Sequence, residues 1–248
     1  MMSGDARLLS FFERFIADPG ACEELIQTVL DNPQIRIKPE TLASQKSVHF
    51  VSNRSVRVDA YVEDKKDTVY NIEIQRFDNC NHVKRVRYNA SAITVAGLQP
   101  GDTFEDVRNV IVIYISEFDI FKLNRTIYHA YTTIEETNTI INDGLKMIYV
   151  NASNVDESML SRLMQLYKQA DFEDATFPRS SARMQQLKHD EQEVAYMCSI
   201  VKELQDKTAE KTKAENARRM LADGISCEKV AEYVDLPLNR VLELAATK

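Results

Sequence analysis

The chain has 248 residues, with 31 Lys and Arg against 38 Asp and Glu for a formal charge of −7, and 44% of it is hydrophobic, enough for one or two ordinary cores. Its longest apolar stretch, Val110 to Ile115, is far shorter than the roughly 20 residues that cross a bilayer. The first ten residues lack a basic-then-apolar signal pattern, so the sequence reads as cytoplasmic, with no membrane partner. Cys22, Cys80, Cys198 and Cys227 form no CxxC pair, which argues for reduced thiols and against structural zinc. Six glycines, none in a dinucleotide or P-loop fingerprint, leave no loop to cradle a nucleotide phosphate.

In chain order, Asp5 to Leu30 reads as helical, broken at Pro19-Gly20, with Cys22, Leu25, Ile26, Val29 and Leu30 at helix spacing. A loop holding Pro33 and Pro39 leads into alternation at Val48 and Phe50, and then at Val56, Val58, Ala60 and Val62. The polar cluster Glu63 to Thr68 is a turn. The returning strand puts Tyr70, Ile72 and Ile74 on one face and Val69, Asn71, Glu73 and Gln75 on the other. Val83, Val86, Ala90, Ile93 and Gly97 predict a helix over about Asn81 to Leu98, stopped near Pro100-Gly101. Val110 to Ser116 is a strand covered on both faces, and Arg125 to Thr133 and Leu145 to Val150 are further strands.

Beyond Asn151 the pattern is helical. Met159, Leu160, Leu163, Met164 and Tyr167 suggest one helix, and Leu187, Val194, Cys198 and Val201 a longer one from about Arg183. Its continuation, Lys202 to Arg219, is a charged face supported by pairs such as Glu203/Lys207 and Glu215/Arg219. The order predicts an α/β domain over 1–150 and an all-helical region over 151–248.

The chemistry concentrates on the hairpin. Folded symmetrically about its turn, it sets Val62 opposite Tyr70 and Asp59 opposite Glu73, with Cβ atoms roughly 4.5–5.5 Å apart. Two like charges so placed need a compensating cation, either a basic neighbour such as Arg57 or a bound metal. An oxygen-only pair suits a hard divalent ion such as Mg²⁺, which takes one or two carboxylates and keeps several waters. Ordinary exposed hairpin carboxylates are the plain alternative.

Asp59, the hairpin, Glu73-Ile74-Gln75, the basic helix start His82-Val83-Lys84-Arg85-Val86-Arg87-Tyr88 and the later Val112 to Phe121 segment together resemble the PD-(D/E)XK nuclease-like transposases, over roughly Phe11 to Val150. The resemblance implies a restriction-endonuclease-like αβββαβ core whose mixed central sheet is flanked by helices. It also implies Mg²⁺, or Mn²⁺, held by Asp59 and Glu73, and DNA as the partner. The third catalytic position, lysine in the wider superfamily, is Gln75, which hydrogen-bonds a water or phosphate oxygen but supplies no charge. A further acid from the opening helix is Asp18, Glu23 or Glu24.

From Arg54 to Arg87 the chain carries eight basic and six acidic residues, and Lys84, Arg85 and Arg87 are candidate phosphate contacts. Lys84 and Arg87 share a helix face, whereas Arg85 points about 100° from Lys84. A solvated helix face is the plain alternative for all three. Ile225 to Leu244 resembles a helix-turn-helix in which Ser226 can cap the first helix, yet Asp235 stands where the turn often has glycine, and Asn216 to Lys248 holds five basic and five acidic residues. A packing or self-association hairpin suits it better than a DNA reader.

The sequence therefore predicts a Mg²⁺-dependent DNA endonuclease acting through Asp59, Glu73 and Gln75. The alternative is a weak or inactive DNA-binding or oligomeric protein that keeps the nuclease fold.

Overall fold

The computed structural model describes residues 15–48, 56–78, 80–169, 171–189 and 212–246. They fall into two compact units, one within 9–189 and the other within 190–248. The strand expected at Phe50, the start of the opening helix and the charged run through Glu203/Lys207 lie outside the described residues, as does the side chain of Arg57.

Helix α1 (Pro19–Val29) opens on Pro19 at its first turn, with Asp18 as N-cap accepting the Ala21 N–H at 2.9 Å. Strand β1 (Ala43–Val48) pairs antiparallel with β2 (Val56–Glu63), which returns as β3 (Val69–Gln75). The turn between β2 and β3 is built by Asp64, whose carboxylate accepts the N–H groups of Lys66 and Thr68 at 2.8 and 2.9 Å. Helix α2 (His82–Ala96) crosses over to β4 (Val110–Ser116), parallel to β3. Strand β5 (Ile127–Ala130), the two-residue β6 (Thr133–Ile134) and β7 (Thr139–Ile140), and β8 (Leu145–Asn151) follow. The six-stranded mixed sheet has the order β1-β2-β3-β4-β8-β5, with β6 and β7 paired by themselves.

Fully buried β4 lies inside the sheet, as its unbroken apolar run requires. Its two faces carry two cores. On one, Tyr70, Ile72, Ile74, Ile113 and Ile148 pack with Cys22, Leu25 and Ile26 of α1. On the other, Val69, Val112, Tyr114 and Tyr149 pack with Val86, Ala90 and Ile93 of α2. Val83, expected on the buried stripe of α2, is 46% exposed, while His82 and Asn89 are buried beside Val86.

Helices α3 (Met159–Leu166) and α4 (Pro178–His189) follow β8. Leu160, Leu163, Met164, Met184 and Leu187 join the α1-side core. The boundary expected near Asn151 therefore falls inside a compact unit that runs on to His189: a helix spacing marks an apolar face but not the layer that buries it.

In the second unit, a helical stretch over 212–222 precedes α5 (Cys227–Val234) and α6 (Leu238–Ala246). Ala217, Val230, Val234, Val241 and Leu244 form its core. Asp235 adopts the left-handed conformation, φ 53°, that the turn demands, and its carboxylate pairs with Lys213 at 2.6 Å. Ser226 occupies the N-cap position of α5 without a side-chain capping hydrogen bond among the described residues.

Candidate active site

The hairpin register sets Val62 opposite Tyr70 and Ala60 opposite Ile72. There the backbone ladder between β2 and β3 stops. The Asp59 carboxylate takes over as acceptor, receiving the Ile74 N–H on Oδ2 at 2.9 Å. Val58 and Tyr61, which strict alternation would separate, both join the α2-side core, so β2 departs from regular pleating just where Asp59 sits. Instead of the ladder pair expected opposite Glu73, half-buried Asp59 is tied to the β3 backbone one residue past Glu73.

Glu73 is 1% exposed. Its Oε1 accepts the Nδ2 groups of Asn71, at 2.9 Å, and Asn89. Among the described residues Oε2 is buried without a hydrogen-bond partner, with the Arg85 Nε at 3.6 Å. Burial pushes this carboxyl above the usual carboxylate range, against the pull of Asn71, Arg85 and Asn89. Gln75 is fixed at both ends of its amide: Oε1 accepts from Arg85 Nη1 at 3.0 Å, and Nε2 donates to the Phe77 carbonyl at 2.9 Å.

Tyr114, opposite Glu73 on β4, closes the floor. Burial raises its hydroxyl pKa; Arg85 opposes that, and Glu73 and Asp59 reinforce it, so the three charged groups converge around one phenol. His82 Nδ1 and the Tyr114 hydroxyl share a 2.8 Å hydrogen bond, and His82 Nε2 meets Asp78 Oδ1 at 2.9 Å. The hydrogen bond from His82 holds the Asp78 carboxyl below its usual range.

The structure thus brings Asp59, Glu73, Gln75 and Arg85 together. Lys84 and Arg87 stand on the exposed side of α2 with no ion-pair partner among the described residues. Arg85, read from the helical wheel as pointing elsewhere, turns back onto β3. None of the acids on α1 reaches this face: Asp18 caps α1, Glu23 accepts the Ile37 N–H at 2.9 Å and pairs with Arg179 at 2.6 Å, and Glu24 accepts the N–H groups of Arg179 and Ser180 at 3.2 and 2.8 Å.

Sequence reasoning missed Asn71, Asn89 and Tyr114. The signal existed for the first two, since Asn71 shares the β3 face with Glu73 and Asn89 lies four residues after Arg85, on one helix face.

Among the described residues no group of three or more His, Cys, Asp or Glu side chains is arranged to hold a metal. The residues still fit a hard divalent ion: the donors are oxygens, two carboxylates satisfy Mg²⁺ when water completes its shell, and Oε2 of Glu73 is a buried carboxyl oxygen that no hydrogen bond satisfies among the described residues. No helix among the described residues is long and apolar enough to cross a membrane.

A family model described as PD-(D/E)XK nuclease family transposase matches residues 21–231. No curated protein and no solved structure matches the chain.

Proposed function

Because the chain belongs to the PD-(D/E)XK nuclease family transposases and folds as a mixed α/β sheet consistent with a restriction-endonuclease-like core, we propose that it is a Mg²⁺-dependent DNA endonuclease hydrolysing phosphodiester bonds beside the β2–β3 hairpin. Nucleases of this superfamily use divalent metals. The observation that carries the reading is the buried Glu73, whose Oε2 lacks a hydrogen-bond partner among the described residues, near an Asp59 locked onto the adjacent backbone.

Asp59 and Glu73 would hold the ion, with Mn²⁺ able to replace Mg²⁺. Such an ion polarises a phosphodiester and lowers the pKa of an attacking water. Asn71 and Asn89 fix the Glu73 carboxylate by occupying one oxygen, leaving the other, Oε2, buried beside Arg85. Lys84 and Arg87 would grip backbone phosphates along the exposed side of α2, a contact that positions DNA without reading its bases.

Plasmid cleavage by the purified full chain in Mg²⁺ or Mn²⁺ tests this. Asp59→Ala should abolish it and also remove Mn²⁺ binding measured by calorimetry. Cleavage that survives Asp59→Ala would refute the mechanism.

Gln75 in the lysine position favours a second reading, a DNA-binding or oligomeric protein that keeps the fold without the chemistry. Exposed Tyr233, Leu238 and Leu242 of the second unit would supply apolar surface for self-association. That reading expects DNA binding with no cleavage in either metal.

A further inference from the structure

We propose that Arg85, from the first turns of α2, is the catalytic cation of this site, supplying the charge that Gln75 on β3 does not; this rests on the nuclease reading above. Its guanidinium spans the two β3 side chains, with Nη1 donating to Gln75 Oε1 at 3.0 Å and Nε 3.6 Å from Glu73 Oε2. The Gln75 amide has no freedom to turn over, because its nitrogen is committed to the Phe77 carbonyl at 2.9 Å. Its carbonyl oxygen therefore faces Arg85. Gln75 holds the guanidinium in place rather than a water.

The two positions are complementary. A lysine at 75 would bring a second cation against Arg85, which accepts no hydrogen bonds and does not give up its proton. Glutamine there turns a repulsive neighbour into an acceptor. The rigid planar fork also leaves an edge for substrate: Arg85 is 43% exposed, and its Nη2 has no partner among the described residues. A phosphate arriving at the metal carboxylates meets that edge. The other two basic residues of α2, Lys84 and Arg87, reach neither Glu73 nor Gln75.

In the reaction, a water oxygen forms a bond to phosphorus while the ester P–O bond to the leaving oxygen breaks. The proton lost by the water passes to solvent, and the departing alkoxide takes one up from solvent. Arg85 stays protonated throughout. It contributes hydrogen bonds to the non-bridging oxygens, where negative charge grows in the transition state.

The experiment compares wild type, Arg85→Ala, Arg85→Lys and Arg85→Ala/Gln75→Lys full chains by plasmid cleavage at saturating Mn²⁺ and by Mn²⁺ calorimetry without DNA. Losing one preorganised donor to a developing charge slows Arg85→Ala about 100-fold. Its Mn²⁺ affinity should equal or exceed that of wild type, because a cation is removed from beside Glu73. Gln75→Lys in that background should restore cleavage about tenfold by returning the charge to the strand. Arg85→Lys, which keeps charge but not the fork, should fall between wild type and Arg85→Ala.

Arg85→Ala cutting within about threefold of wild type would overturn the role, given the size of effect such donors have. So would a loss of Mn²⁺ affinity in step with cleavage, which would make Arg85 a support of the metal seat. Should Arg85→Ala fail to fold, Arg85→Lys and the Gln75→Lys double variant decide the matter: no cleavage from either in a folded, Mn²⁺-binding protein overturns it. A wild type that neither binds Mn²⁺ nor cuts DNA refutes the nuclease reading itself, a result distinct from one in which wild type and Arg85→Ala do both equally.

Discussion

Replacing Glu73 with glutamine tests whether its charge is a burden that the fold carries for a ligand. The shape is kept, and the amide oxygen can still accept from Asn71 and Asn89. What changes is the charge at Oε2, buried and 3.6 Å from Arg85. At an effective dielectric of 20 that separation gives an attraction of about 5 kcal/mol. Arg85 is 43% exposed, so solvent screening cuts this to about half or less. Against it stands the cost of taking a carboxylate out of water, several kcal/mol even after relaxation.

Desolvation wins, in agreement with the upward direction of the Glu73 pKa. The sign for pH follows from linkage. A carboxyl whose folded pKa is raised binds its proton more tightly in the folded chain, so stability is fullest below the ordinary glutamate value and is lost as pH rises through the raised one. Glu73→Gln should therefore be more stable than wild type by about 1–2 kcal/mol at pH 8 in chelator. The gain should vanish toward pH 4, where both side chains are neutral. Mn²⁺ should reverse the order at pH 8 by stabilising only the wild type. Urea unfolding of both proteins at the two pH values, with chelator and with Mn²⁺, measures all of this. A variant less stable than wild type at pH 8 in chelator would refute the reasoning, since Glu73 would then be an ordinary ion-pair member.

Glu24→Ala leaves the buried Ser180 N–H and the part-buried Arg179 N–H without their acceptor and should cost about 2–3 kcal/mol by thermal denaturation. Mn²⁺ affinity of the folded variant should be unchanged, because Glu24 belongs to the α1 side of the sheet; a loss would return it to the metal site. Replacing Lys84 and Arg87 together with alanine should weaken DNA binding alike for unrelated sequences. The log–log salt slope, read by fluorescence anisotropy, should become shallower by roughly 0.9 per lost phosphate contact. An effect confined to one sequence would make them base readers.

The local features were legible because they are set within a few residues. Alternation from Ala60 through the polar turn to Gln75 and the symmetric register Val62↔Tyr70 follow from side-chain period and turn chemistry. The apolar run of β4 likewise announces a strand with both faces covered. Carboxylates at 59 and 73, glutamine at 75 and the basic start of α2 are printed in the sequence, and the family match agrees with the resemblance they carry.

What the sequence could not decide depends on how separate elements dock. Alternation alone misplaces Asp59, because β2 leaves its ladder there and the carboxylate turns to the Ile74 N–H. Glu23 and Glu24 look available until α4 arrives, some 155 residues later, and uses both. Arg85 has no direction on a helical wheel beyond its angle; a long side chain reaches Glu73 and Gln75 only because α2 packs over that end of β3. Periodicity fixes which residues share a face, while the packing of one layer on another fixes which faces meet, and the charge balance of this site is written in the second of these.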